Sequence, residues 1–163
     1  MKAVVVYESL WGSTAAIAHA IAEGIGPAAC AVPTDEATPA LLADADLVVA
    51  GAPVIGFRLP TEQMRESVRQ DPKAPPPDLT HPTMRAWLAS LPHGHGRSAA
   101  FETRIWWSPG GSIGAIGKGL QEAGYPPVAR PQKFVVTGKY GPLRDGEAER
   151  ARRWGTELAD AMG

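Results

Sequence analysis

The sequence predicts a single α/β domain with a doubly wound parallel sheet. Two runs, Lys2–Tyr7 and Asp46–Ala50, are almost continuously apolar and rich in β-branched residues, which is typical of strands buried on both faces. Segments with helical periodicity alternate with strands along the whole chain, and this alternation favours parallel strands joined by crossover helices. A length of 163 residues suits one domain, so residues 1–163 are expected to form a single unit.

The first strand and the helix after it are the most sharply defined pair. Strand Lys2–Tyr7 leads into a turn, and the helix that follows has isoleucines at every fourth position, at Ile17, Ile21 and Ile25. Ser13 and Thr14 are predicted to cap the start of this helix, and Gly24 and Gly26 are predicted to end it.

The other elements follow in the same alternating order. The remaining predicted strands are Ala28–Pro33, Asp46–Ala50, Ser98–Phe101 and Lys133–Thr137. The remaining predicted helices are Thr38–Ala43, Pro82–Leu91, a segment after Gly110-Gly111-Ser112 that carries Ile113, Ile116 and Leu120, and Glu147–Met162.

One connection is too long for this pattern. Residues Thr61–Thr80 separate the third strand from its helix, and the second half of the segment contains four prolines. Thr61–Gln70 can be helical, whereas the proline-rich remainder cannot. A connection of this length inside a compact domain is usually functional or mobile.

Composition and charge exclude several classes of function. A formal net charge of −1 gives no electrostatic footprint for nucleic acid. No apolar run is long enough for membrane insertion, and the absence of a leader pattern after Met1 predicts a cytoplasmic protein. Cys30 stands alone, and His93 and His95 lie among glycines without further ligands, so no metal site is predicted.

The turn after the first strand is the main candidate for a binding site. It is rich in hydroxyl groups and runs directly into a helix N-terminus, where free backbone amides and the helix dipole favour an anion. Its residues are Ser9, Leu10, Trp11, Gly12, Ser13 and Thr14. It contains neither the lysine of a Walker A loop nor the Gly-x-Gly-x-x-Gly pattern of a dinucleotide site. A bound monophosphate is the interpretation that remains.

This turn resembles the phosphate loop of the flavodoxin family, Ser/Thr-x-Ser/Thr-Gly-x-Ser/Thr. The sequence matches that motif at Ser9, Gly12 and Thr14, and departs from it at Trp11, where the family usually has a hydroxyl. The order of elements agrees with the family over the whole chain. The resemblance implies a flavodoxin-like three-layer sandwich with five parallel strands in the order 2-1-3-4-5.

The resemblance also implies that the cofactor is FMN, with its phosphate on residues 9–14 and its ring between two later loops. The first ring loop lies within Ala50–Gly56 and supplies Pro53, Val54, Ile55 and Gly56. The second lies within Phe101–Trp107 and supplies Glu102, Thr103, Arg104 and Trp107. Of the adjacent Trp106 and Trp107, one is expected to pack into the core and the other, assigned as Trp107, to face the flavin.

The function implied is electron transfer between a reductase and an acceptor, so both are expected as protein partners. The flavin supplies the chemistry, and no residue is assigned as a catalytic acid, base or nucleophile. The proline-rich segment is expected near the ring edge, where it could gate access or bind a partner. Two alternatives stay open: a small FMN-dependent oxidoreductase acting on a quinone-like or porphyrinogen-like substrate, and a cofactor-free binding module.

Overall fold

The computed structural model describes residues 1–163 and contains one all-parallel sheet. Its five strands are β1 (Ala3–Tyr7), β2 (Ala29–Pro33), β3 (Leu47–Pro53), β4 (Arg97–Ile105) and β5 (Gln132–Val136). They are hydrogen-bonded in the order β2-β1-β3-β4-β5, which confirms the predicted topology. The order reverses between β1 and β3, and a doubly wound sheet binds its ligands at such a reversal.

Helices cover both faces of the sheet. They are α1 (Ser13–Ile25), α2 (Pro39–Leu42), α3 (Glu62–Gln70), α4 (Met84–Ser90), α5 (Ile113–Glu122) and α6 (Glu147–Ala161). Helices α1 and α6 share one hydrophobic cluster with the sheet, while α2, α4 and α5 share the other. None of these helices combines the length and the apolar composition that crossing a bilayer requires.

Alternation along each strand divides the core into two layers. In β1, Val5 packs under α1 and α6, whereas Val4 and Val6 belong to the cluster on the opposite face. Successive side chains of a strand point to opposite faces, so a strand covered on both sides must be apolar throughout. This is why the two valine-rich runs are the clearest strand signals in the sequence.

Gly24 does not end α1, as the sequence analysis predicted, but lies inside it. A Cβ at Gly24 would lie 1.9 Å from the carbonyl oxygen of Arg152 in α6, and one at Gly155 would lie 2.2 Å from the carbonyl oxygen of Ile21. The two glycines therefore allow the backbones of α1 and α6 to approach closely. Gly26, with φ of +127°, is the residue that follows the helix end.

The end of the fourth strand also differs from the prediction. Strand β4 continues to Ile105 instead of ending at Phe101, because residues 101–105 remain paired with β5. Most of the segment assigned to the second ring loop is therefore strand. Helix α3 forms within the long connection, as expected, and the Thr61 hydroxyl caps it by accepting a hydrogen bond from the Met64 amide at 3.2 Å.

Candidate functional site

Four loops meet around a cavity of about 320 Å³ at the carboxyl edge of the sheet. They follow β1, β3, β4 and β5, whose carboxyl ends lie at one edge because the strands are parallel. The predicted site residues that line the cavity are Leu10, Trp11, Ser13, Thr14, Pro53, Val54, Ile55, Gly56, Thr103, Arg104 and Trp107. Ser9, Gly12 and Glu102 do not line it.

The β1–α1 turn, residues 9–14, is closed by the Ser9 side chain. The Ser9 hydroxyl oxygen accepts hydrogen bonds from the amides of Gly12 and Ala15, both at 3.2 Å. Gly12 is the N-cap of α1 with φ of +100°, a conformation that other residues rarely adopt. The predicted caps Ser13 and Thr14 instead occupy the first turn of the helix.

Several amides of this turn have no acceptor within the protein. The amides of Leu10, Trp11, Ser13 and Thr14 form no hydrogen bond with another group of the chain. The first turn of α1 carries no acidic side chain that would offset the positive end of the helix dipole and repel an anion. Unpaired amides at the positive end of a helix provide the environment that a phosphate group requires.

The hydroxyl groups of the turn have divided roles. Thr14 Oγ1 lies 2.7 Å from Thr103 Oγ1, so this buried pair links the turn to β4. The Ser9 oxygen accepts the two amide hydrogen bonds that close the turn. Ser13 is therefore the hydroxyl that remains most available to a ligand.

Trp11 holds the position where the flavodoxin motif has a hydroxyl. Its indole Nε1 donates a hydrogen bond to the carbonyl oxygen of Pro75 at 3.0 Å. Its ring meets the Tyr140 ring edge to face, with centroids 4.7 Å apart. Trp11 thus connects the β1–α1 turn to two other segments, a role that a serine or threonine could not fill.

The loop after β3 forms a tight turn. Ile55 and Arg58 exchange backbone hydrogen bonds of 3.0 and 3.2 Å, and the two residues between them, Gly56 and Phe57, both have positive φ. Glycine tolerates this conformation, whereas Phe57, with φ of +68°, is strained. The Phe57 carbonyl accepts a hydrogen bond from the Gly111 amide at 3.0 Å, which ties this loop to the one after β4.

Glu102 does not line the cavity but forms hydrogen bonds with Arg104 and with the start of α5. One carboxylate oxygen accepts hydrogen bonds from the amides of Ser112 and Ile113, at the start of α5. The other lies 2.8 Å from Arg104 Nη1, which also donates to the carbonyl oxygen of Gly110. Arg104 thereby lines the cavity with its charge already compensated.

Three aromatic side chains in the loops after β3 and β4 are exposed. Trp106 and Trp107 are 74% and 61% exposed, so the expectation that one of them packs into the core is wrong. Both follow the end of β4, where the chain has left the two packed faces of the sheet. Phe57, across the mouth, is 57% exposed and lines the cavity together with Trp107.

The loop after β5 also lines the cavity, and it was not predicted from the sequence. Lys139, Tyr140 and Gly141, in the loop after β5, line the cavity beside the β1–α1 turn. A Cβ at Gly141, where φ is +90°, would lie 2.8 Å from Ser13 Oγ, so the two loops are in close contact. The signal was present in Gly138-Lys-Tyr-Gly-Pro142, a glycine-rich loop at the carboxyl end of a parallel strand.

A buried polar cluster lies directly behind the β1–α1 turn. Glu8 is fully buried, and its carboxylate accepts a hydrogen bond from the Met84 amide at 2.9 Å. Burial raises the pKa of Glu8 to about 7, although Arg65, 3.7 Å away, opposes the shift. Burial also lowers the pKa of His81, whose Nε2 accepts a hydrogen bond from the Ser9 amide at 3.0 Å.

The proline-rich segment lies elsewhere than expected. No residue of 61–80 lines the cavity, although Met64 of α3 approaches Gly56. The segment packs instead against the β1–α1 turn, where the Asp78 amide donates to the Leu10 carbonyl at 2.8 Å. It therefore contacts the predicted phosphate end of the site.

These features define a flavodoxin-like fold: a 2-1-3-4-5 parallel sheet with a turn of unpaired amides after β1 and further loops around a cavity at the reversal point. Solved structures with this fold match nearly the whole chain. A flavodoxin from the domain Archaea is 21% identical, with 99% of each chain covered and a TM-score of 0.67. Flavodoxin 1 from Bacillus cereus is 19% identical, with 98% of each chain covered and a TM-score of 0.67.

The same fold also occurs as part of larger proteins. Rubredoxin oxygen:oxidoreductase from Desulfovibrio gigas is 18% identical, with a TM-score of 0.62, and the match covers 99% of this chain but 36% of the larger one. No protein-family model matches the sequence, and no curated protein matches it either. The similarity to these solved structures confirms the predicted fold.

Proposed function

We propose that the protein binds one FMN and carries electrons between a reductase and an acceptor. The observation that carries the proposal is that a turn with unpaired amides at a helix N-terminus lies beside an apolar, aromatic cavity at the reversal point of a flavodoxin-like sheet. The structural similarity to flavodoxins supports it. The partners themselves are inferred from this class of protein.

The β1–α1 turn would hold the phosphate. The amides of Leu10, Trp11, Ser13 and Thr14 are available, and the Ser13 hydroxyl can add a donor. Gly12 leaves the space in front of the turn open, since a Cβ there would meet no atom within 4 Å. Lys139, in the loop after β5, adds a cation to the lining of the cavity.

The apolar part of the cavity would hold the ring system. Val54 and Ile55 form one wall, and Trp107 stands on the opposite loop. Aromatic and aliphatic walls of this kind stack on a planar ring and exclude water from it. Bound FMN would supply the redox chemistry, accepting and releasing one or two electrons.

The protein's own residues would bind and orient the cofactor. Arg104, which lines the cavity, is held by Glu102 and the Gly110 carbonyl. Glu8 and His81, whose pKa values are shifted, lie behind the β1–α1 turn and do not line the cavity. This arrangement favours a carrier over an enzyme with its own acid and base.

Chromatography of the ligand released by heat tests the cofactor assignment. We expect one FMN per chain, either in the protein as purified or after FMN is added, because the turn provides a single phosphate site. Stoichiometric FAD would contradict the assignment, and no flavin at all would favour the cofactor-free module. Steady turnover of a small quinone with a nicotinamide reductant would favour the oxidoreductase.

A further inference from the structure

Part of the long connection between α3 and α4 holds the β1–α1 turn at three consecutive positions. We call residues 75–81 the clamp. Its hydrogen bonds are Ser9 N to His81 Nε2 at 3.0 Å, Asp78 N to the Leu10 carbonyl at 2.8 Å, and Trp11 Nε1 to the Pro75 carbonyl at 3.0 Å. A short turn fixed in this way loses little conformational entropy when a ligand binds.

The clamp is itself anchored in the interior. Arg65 of α3, 5% exposed, donates from Nη2 to the His81 carbonyl oxygen at 2.8 Å. Its Nη1 lies 3.7 Å from Glu8 Oε2, at the end of β1. On the other side, the Thr34 hydroxyl donates to the Pro82 carbonyl at 2.7 Å. Because Arg65 of α3 and Thr34, which follows β2, hold the carbonyls of residues 81 and 82, His81 has little freedom to move away from Ser9.

The hydrogen bond from Ser9 fixes the protonation state of His81. An amide can donate only to an unprotonated ring nitrogen, so Nε2 must be free of hydrogen and the proton of the neutral ring lies on Nδ1. Nδ1 faces Asp78 Oδ1 at 3.8 Å. A second proton, on Nε2, would set two donors against each other at the first residue of the turn.

The charged groups around His81 shift its pKa in opposite directions. Burial is the main influence and lowers its pKa, and Arg65 lowers it further. Asp78 of the clamp and Asp35, which follows β2, raise it. Glu8 lies beyond Arg65 and is paired with it. The lowered pKa keeps His81 neutral at neutral pH, and it takes up a proton only below the ordinary histidine value of about 6.5.

We propose that His81 is a positioning residue for the phosphate end of the site, and that FMN affinity depends on His81 being neutral. This inference rests on the proposed function. When His81 takes up a proton, the Ser9 hydrogen bond is lost and the turn no longer presents its free amides in one arrangement. Affinity for FMN therefore falls as the pH drops below about 6.5, and it returns when the pH is raised.

The test measures the FMN dissociation constant from pH 5 to pH 8 by quenching of flavin fluorescence. His81→Phe removes the acceptor, and we expect about tenfold weaker binding at pH 8, the effect of one unpaired buried amide. His81→Gln offers a carbonyl acceptor that does not titrate, so its affinity at pH 8 should be nearer that of the parent. His95→Gln, on an exposed loop before β4, is the control.

The phosphate of FMN also titrates near pH 6, so the comparison between variants carries the result. The parent and His95→Gln should lose affinity more steeply below pH 6.5 than His81→Gln, which keeps the titration of the phosphate and of Glu8 but lacks that of His81. Parallel profiles for the parent and His81→Gln would overturn the proposal. Unchanged affinity in a folded His81→Phe variant would overturn it as well.

A second measurement needs no flavin and separates this inference from the proposed function. In the ligand-free parent, the NMR signal of the Ser9 amide should shift with a midpoint below pH 6.5, and in His81→Gln it should not. If the Ser9 signal shifts with pH as expected but FMN does not bind, the proposed function fails while the coupling between His81 and the turn stands. If the Ser9 signal does not shift, that coupling is absent whatever the protein binds.

Discussion

At the scale of single residues, the structure adds most where distant positions meet. Glu8, Arg65 and His81 form one buried cluster, yet they lie far apart in the sequence. A lone glutamate after a strand or a lone arginine in a polar helix gives no signal of burial. By contrast, the turn that contains Ser9 and Gly12 could be located from the sequence, because a turn between a strand and a helix has a local pattern.

Glu8 provides a prediction about pH and stability. Burial raises its pKa in the folded protein to about 7, above the ordinary value of 4.5, so the folded state holds this proton more tightly than the unfolded state. The contribution of Glu8 to the free energy of unfolding is therefore complete below pH 4.5 and declines as the pH rises through about 7. Above that range it stays low.

Glu8→Gln should remove this pH dependence. The amide oxygen can still accept the hydrogen bond from the Met84 amide, and the side chain carries no charge. We expect the variant to match the parent at pH 4.5 and to exceed it at pH 8 by at most roughly 3 kcal/mol. Urea unfolding at both pH values measures this, with exposed Glu157→Gln as control. An equal difference at both pH values would refute it.

At the scale of elements, the sequence predicted the strands and helices well and their ends less well. Continuous apolar runs located β1 and β3, because burial on both faces leaves a clear pattern. Isoleucines at every fourth position located α1. The end of β4 was missed because residues 102–104 are Glu-Thr-Arg. These polar residues are buried and hydrogen-bonded at the edge of the cavity, and only the tertiary structure reveals their partners.

The contact between α1 and α6 provides a prediction about packing. Gly24→Ala places a Cβ against the Arg152 carbonyl oxygen, a backbone atom that cannot move without displacing α6. We expect a loss of about 1–3 kcal/mol in the free energy of unfolding, despite the higher helix propensity of alanine.

Gly114→Ala is the matched control for this prediction. Gly114 also lies within a helix, α5, but a Cβ there would meet no atom within 4 Å. The control should be unchanged or more stable by up to about 1 kcal/mol, the difference in helix propensity. Chemical denaturation of both variants measures the effect, and a stabilised Gly24→Ala would rule out the close approach of the helices.

At the scale of the whole molecule, the fold follows from the order of elements, while the site depends on how four loops meet. The loops after β1, β3 and β4 were predicted from the sequence to form the site, and the structure adds the loop after β5 and the clamp. Loops carry no periodic pattern, so their meeting points cannot be derived from spacing alone. The central claim for the molecule is that the β1–α1 turn holds the phosphate of FMN.

A pair of equivalent substitutions tests that claim most directly. Gly12 and Gly146 are both helix N-caps with positive φ and open space where a Cβ would lie, but only Gly12 belongs to the turn beside the cavity. Gly12→Asp puts a carboxylate where the phosphate would bind, whereas Gly146→Asp makes the same chemical change at the start of α6. Circular dichroism of both variants is needed to verify that they are folded.

Titration of the parent and both variants with FMN, followed by flavin fluorescence, is the decisive measurement. The account predicts that the parent and Gly146→Asp bind one FMN per chain with equal affinity. It predicts that Gly12→Asp binds at least about 100-fold more weakly, because a charge clash in the turn costs several kcal/mol. Binding of FMN by Gly12→Asp with the affinity of the parent would contradict the account.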